Sequence, residues 1–214
     1  MKMSILSILF LISMVMTVFG QNSEPMRSGT FTDSRDNHLY KWVKIGTQIW
    51  MAENLAFKPS FGALCYGNML FNCDYYGTLY TYEAAKTACP EGWSLPTDEQ
   101  WMLLEKAIGI GNEEIVFGGR RGEDQAAKLK SRFGWSSDGN GSDTMAFSIL
   151  PGGSYYTGFN GIGNTAYFWS STTKETYIRG RRAWTRSFYN DTNQIGRYLM
   201  NQSSYLSVRC IKDN

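Results

Sequence analysis

The chain has 214 residues, 43% hydrophobic, 15% aromatic and 19% charged, which supplies a sizeable core and excludes a disordered or collagen-like chain. Its 21 Lys and Arg against 19 Asp and Glu leave almost no net charge, so nothing electrostatic points to nucleic acid or anionic lipid.

Residues 1–20 place Lys2 before an apolar run from Ile5 to Phe19 and end with Val18 and Gly20 where a signal peptidase favours small residues. Ser7, Ser13 and Thr17 interrupt a run already too short to span a bilayer, so a secretory signal peptide cleaved after Gly20 is expected. No Cys near that point offers a lipid attachment site, and no membrane insertion is expected once the leader is removed. A flexible, polar lead-in over residues 21–28 follows, and residues 29–214 read as one domain.

From Gly29 the pattern is of short strands: Thr30 to Asp33, a turn over Ser34 to Asn37, then HLYKWVKI, a Gly46-Thr47 turn and QIWMAENL. Alternation sets Leu39, Lys41, Val43 and Ile45 on one face, and Tyr40, Trp42 and Lys44 on the other. Asp33, Asp36 and Asn37 fit turn chemistry at least as well as a calcium loop.

Four cysteines, Cys65, Cys73, Cys89 and Cys210, suit an oxidising compartment, and spacing alone allows three pairings. Cys65 and Cys73 flank a short loop containing Gly67 and Asn68, so they are expected to pair locally, leaving Cys89 for Cys210. Zinc ligation lacks a C-x2-C pair and has a single His to draw on, so no metal and no cofactor is expected.

Helical spacing of Leu79, Tyr82, Ala85 and Ala88 predicts a helix ending at Cys89-Pro90. Thr97 with Gln100 forms a capping box for a second helix carrying Trp101, Leu104, Ala107 and Ile108 on one face. A weaker helical segment covers Asp124 to Lys130. Beyond Gly134 the Gly, Ser, Asn and aromatic content predicts short strands and long ordered loops, with a last strand from Tyr205 to Ile211. This order is that of an α+β fold.

The strings DSRDNHLYKWVKIGTQIWMAENL, CYGN, YGTLYTYEAAKTACPEGWSLPTDEQW, LKSRFGW, FWSST and SVRCIKD, in this order, resemble the Fibrobacter succinogenes major paralogous domain across nearly all of residues 30–213. The resemblance implies a C-type-lectin-like fold, related to the formylglycine-generating enzyme branch, with two helices on short twisted antiparallel strands and long ordered loops. It implies a secreted or cell-surface bacterial protein. Fold leaves function to be argued from the site.

The cysteine pair of the formylglycine-generating relatives has no counterpart in Trp184 to Tyr198, so their activity is not expected. No G-x-S-x-G string occurs, and His38 sits in a polar turn typical of solvated surface. The acidic pairs Asp98-Glu99, Glu113-Glu114 and Glu123-Asp124 are explained by helix dipoles and solubility. The E-P-N or Q-P-D triplet and the W-N-D string of calcium-dependent lectins are missing, although SDGNGSD (Asp138, Asn140, Ser142, Asp143) is oxygen-rich. Trp93, Trp135 and Trp169 belong to the framework of the resemblance and read as core.

Residues 181–201 combine aromatic faces with Arg and Asn donors, the chemistry of glycan or peptide recognition. Alternation puts Trp184, Arg186 and Phe188 on one face, and by analogy with C-type-lectin-like proteins Trp184, Arg186, Tyr189, Asp191, Asn193 and Arg197 are the expected ligand-binding residues. The expectation is a secreted, non-catalytic binding or surface-interaction module that recognises a glycan or other extracellular polymer without calcium. The alternatives are a structural or adhesion component binding an extracellular protein and, third, an uncharacterised enzyme.

Overall fold

The computed structural model describes residues 27–176 and 180–213; the leader over residues 1–20 and nearly all of the lead-in lie outside them. The fold is α+β and mostly strands, with four α-helices and two disulfides among the described residues. No helix among those residues is long and apolar enough to cross a membrane.

The N-terminal part gives strands β1 (Ser28–Thr32), β2 (Leu39–Ile45), β3 (Gln48–Met51) and β4 (Ala63–Leu64). Helix α1 (Leu70–Tyr76), strand β5 (Leu79–Tyr80), helix α2 (Tyr82–Ala88), strand β6 (Trp93–Ser94) and helix α3 (Asp98–Ala107) follow. Next come strand β7 (Gly119–Arg121), helix α4 (Gln125–Leu129) and strands β8 (Gly152–Tyr155) and β9 (Phe159–Ile162). The chain then forms β10 (Thr165–Thr176), β11 (Gly180–Tyr189), β12 (Thr192–Asn201), β13 (Leu206–Ser207) and β14 (Ile211–Lys212).

One sheet has the order β1-β2-β3-β14-β6; the other runs β4-β5-β13-β10-β11-β12-β7, with β8 and β9 branching from β10. The first is covered on both faces. Val43, Ile45, Trp50 and Ile211 enter a core shared with Trp101 and Leu104 of α3, while Tyr40, Met51 and Trp93 enter a second core with Tyr82 and Ala85 of α2. That double burial explains where alternation fails: Tyr40 is fully buried and donates no face to water, whereas Leu39, beyond the end of the core, is 59% exposed. Its hydroxyl oxygen accepts the Ala56 and Phe57 amides, so Tyr40 also anchors the chain leaving β3.

Both cysteine pairs form as expected, Cys65 with Cys73 and Cys89 with Cys210. The segment between Cys65 and Cys73 is not a hairpin but a 3-10 turn over Tyr66–Asn68 leading into α1. The capping box is present at α3: Thr97 Oγ1 accepts the Gln100 amide at 3.0 Å and Gln100 Oε1 accepts the Thr97 amide at 2.8 Å. Helix α4 spans most of the weaker helical segment.

The C-terminal half departs from the expected short strands and long loops, since β10, β11 and β12 are 12, 10 and 10 residues long and form an antiparallel meander. The predicted last strand is split into β13 and β14, which join different sheets. A register shift in β10 between Trp169 and Thr173 frees residues 170–172 from the β11 ladder, and the helices dock there. Tyr82 Oη donates to Ser171 O at 2.7 Å, Thr172 Oγ1 accepts the Asp98 amide at 3.0 Å, and Trp101 Nε1 donates to Trp169 O at 3.3 Å.

In the oxygen-rich SDGNGSD loop, Asn140, Ser142 and Asp143 are committed internally. Asp143 accepts from the Ser148 amide and hydroxyl at 2.8 and 2.6 Å, and Asn140 Oδ1 accepts the Trp135 amide at 3.1 Å. Any Cβ at Gly141 would lie 2.1 Å from Lys130 O, so only glycine lets the loop pack there. Asp33 is likewise taken, holding Arg35 through both carboxylate oxygens.

Candidate functional site

Strand β11 carries the residues in which sequence alternation sought a surface, yet it is central in its sheet and buried on both faces from Ala183 to Phe188 apart from half-buried Trp184. Arg186 is fully buried: its Nη1 meets Asp98 Oδ1 at 2.7 Å and its Nε meets Glu105 Oε1. Arg197, opposite it on β12, donates to Asp98 through Nε and Nη2 and to Val116 O through Nη1 at 2.8 Å. The Arg197 guanidinium lies 3.7 Å from the centre of the Trp184 ring. Arg121 completes the group from β7, at 2.7 Å from Glu105 Oε2.

Five charges thus sit inside the protein, three guanidinium and two carboxylate. Burial opposes ionisation of Asp98, but the hydrogen bonds from Arg197 and the charge of Arg186 outweigh it and hold this carboxyl below the usual range. Burial lowers the Arg121 pKa, only partly offset by Glu105. Asp98 and Glu105 project from the buried side of α3, so the network joins that helix to three strands.

This corrects the expected binding set. Arg186 and Arg197 are interior ties rather than ligand donors, because two acids far upstream in the chain neutralise them. Tyr189 lies under Arg120, 4.6 Å from its ring centre, and Asp191 reaches Arg120 at 3.7 Å. Asn193 is exposed at the start of β12, near that end of the hairpin and away from Trp184. The six residues do not converge on one cleft.

A cleft of about 150 Å³ opens elsewhere, between α1, the segment after β3 and the loop after α4. Tyr75, Tyr76 and Phe133 give it aromatic walls, and His38, Glu53 and Asp74 give it polar ones. Tyr75 and Phe133 are 40% and 58% exposed, and the Tyr75 ring is also stacked on Phe71 at 6.0 Å and meets Tyr76 at 4.7 Å. His38 is half-buried, 4.3 Å ring to ring from Tyr40, and not the solvated surface residue its polar turn suggests.

The floor is rigid. Asn54 Oδ1 accepts from Arg209 Nη2 at 2.5 Å, and its Nδ2 donates to Tyr76 O at 2.8 Å. Gly77, at φ 83°, lets the end of α1 press on Asn54, where a Cβ would stand 2.6 Å from the Asn54 Cβ. Arg209 itself is fully buried between Phe147 and Phe168, and burial pushes its guanidinium down to about 9. Ser131 and Ser148 spend their hydroxyls on Phe133 O and Asp143. Asp74 is exposed and makes no ion pair among the described residues, while Glu53 accepts the Lys41 amide through Oε2 and faces the Lys41 ammonium at 3.8 Å through Oε1, so the freer acceptor is Asp74.

No thiol accompanies these acids, since all four cysteines are in disulfides. Among the described residues no three His, Cys, Asp or Glu side chains gather as a metal ion would require. Sequence reasoning missed the cleft because its walls come from five separate segments of the chain. The aromatic run FNCDYY, which contains Cys73 and is followed by Gly77, is the local signal available for it.

The chain belongs to the Fibrobacter succinogenes major domain family, which it matches over residues 43–212. The matched span takes in Glu53, Asn54, Asp74, Tyr75 and Phe133 as well as the interior ion network, while His38 precedes it. No curated protein and no solved structure matches the chain.

Proposed function

We propose that this protein is a secreted, non-catalytic recognition module of C-type-lectin-like architecture that takes one ring of an extracellular glycan in the Tyr75–Phe133 cleft. The carrying observation is the cleft itself, with the partly exposed rings of Tyr75 and Phe133 and the Asp74 carboxylate, in no ion pair among the described residues, beside a floor held by Asn54 and Arg209. A volume of about 150 Å³ matches one six-membered ring. Aromatic faces stack on the apolar face of a pyranose, and Asp74, Glu53 and His38 bond its hydroxyls without calcium. Two disulfides and the leader support an extracytoplasmic location.

The test is a glycan array probed with residues 21–214 in calcium and again in EDTA, followed by titration of any hit. Tyr75→Ala and Phe133→Ala are each expected to weaken binding about tenfold while the fold stays intact. A hit that requires calcium, or one indifferent to both substitutions, refutes the reading. A protein partner is the second reading, favoured by Met69, Leu70 and Phe71, which are 59%, 68% and 69% exposed on the disulfide-clamped segment beside the cleft. It predicts no glycan hit and a surface pull-down lost in Leu70→Ser with Phe71→Ser.

A further inference from the structure

We infer that a second, separate site on the outer end of the meander binds a carboxylate-bearing sugar through Arg182, with the sugar ring on Tyr156. A cleft of about 210 Å³ lies there, lined by Tyr156, Arg182, Met200, Asn201 and Ser204. The Tyr156 ring is 55% exposed, a free stacking face.

The charge arrangement is what asks for an anion. Lys174 of β10 and Arg182 of β11 are direct register partners, and Arg182 is in turn opposite Asn201 of β12. Directly opposed residues share one face of the sheet with their Cβ atoms about 5 Å apart, and two like charges so placed repel. Nothing relieves the repulsion: among the described residues neither Lys174 nor Arg182 has an acid within ion-pair distance. The neighbouring acid, Glu175, alternates to the other face and is opposite Arg181.

The row also consists of donors. Arg182 spends Nη1 on Leu199 O at 3.3 Å, and its Nε is buried without an acceptor. Asn201 Oδ1 already accepts from the amide and hydroxyl of Ser203, which leaves the Asn201 NH2 group to donate outward. Ammonium, guanidinium and amide in one row, beside an exposed aromatic ring, fit a carboxylate on a sugar ring, which gains charge-assisted hydrogen bonds where the hydroxyls of a neutral sugar gain only ordinary ones.

Isothermal titration with trigalacturonate, and with the neutral galactose trimer as control, tests this. The acidic trimer is expected to bind at least tenfold more tightly than the neutral one. Arg182→Gln and Lys174→Gln should each bring it to the neutral level, with a thermal midpoint equal to or above the parent because the cross-strand repulsion is gone. Tyr75→Ala, in the first cleft, should leave this affinity unchanged, which separates the failure of one site from that of the other. Equal affinity for the two trimers, no binding of the acidic one, indifference to Arg182→Gln, or loss on Tyr75→Ala would each overturn the inference.

Discussion

Glu105→Gln and Arg186→Met both cut the interior network, and charge counting says that the substitution removing fewer bonds does more damage. Arg186 bonds Glu105, Asp98 Oδ1 and the Asp98 carbonyl. Without it, Asp98 keeps Arg197 and Glu105 keeps Arg121, so two matched pairs remain. Glu105→Gln is isosteric and leaves no cavity, yet it strips Arg121 and Arg186 of their shared counter-charge and leaves three buried guanidinium groups to one carboxylate. Leaving a buried charge uncompensated costs about 3–5 kcal/mol, whereas an apolar replacement that leaves the charges matched costs less, here below about 2 kcal/mol. At about 2–4 °C per kcal/mol for a domain of this size, Glu105→Gln lowers the thermal midpoint by about 6–20 °C. Urea unfolding of the oxidised protein, with slopes compared to confirm a two-state transition, measures both. Arg186→Met proving as costly as Glu105→Gln would refute the view that net charge, rather than bond count, governs this interior.

Two further expectations follow from described contacts. Asp98 has a folded pKa below its unfolded value of 3.8, so its stabilisation is complete above that value and is lost as pH falls through the folded pKa. Asp98→Asn should therefore flatten the fall in stability on acidification below about pH 4, measured by urea midpoints at stepped pH; an unchanged slope would assign the acid sensitivity elsewhere. The Cys89–Cys210 bridge closes 121 residues and Cys65–Cys73 closes 8. Chain entropy assigns them about 5 and about 2.5 kcal/mol, so replacing the first pair by Ala should cost about twice as much, and equal costs in unfolding titrations would contradict that.

What the sequence revealed is local. Thr97 and Gln100 lie three residues apart and specify a helix start by themselves, and the cysteine spacings led to both bridges. Strand β11 was opaque for the opposite reason. Arg186 and Thr185 look like surface residues on either face, and only acids 81 and 88 positions upstream make the arginine an interior one. Asp98 could not be told from its exposed neighbour Glu99 by helix-dipole reasoning, because which of them points inward depends on how α3 meets β11. The cleft was hidden in the same way: His38, Tyr75 and Phe133 carry no common motif, and the fold alone brings them together.

Strand β14 lies between β3 and β6, although β3 precedes it by some 160 residues in the chain. During synthesis the first sheet is therefore a three-stranded meander, β1-β2-β3, with an open edge until β14 arrives to fill it. Ile211, register partner of both Trp50 and Ser94, is the closing piece, and the disulfide at the preceding residue fixes it there. Vectorial emergence from the ribosome thus leaves the β3 edge unpaired while the intervening chain is made, and makes the arrival of β14 the event that completes the first sheet.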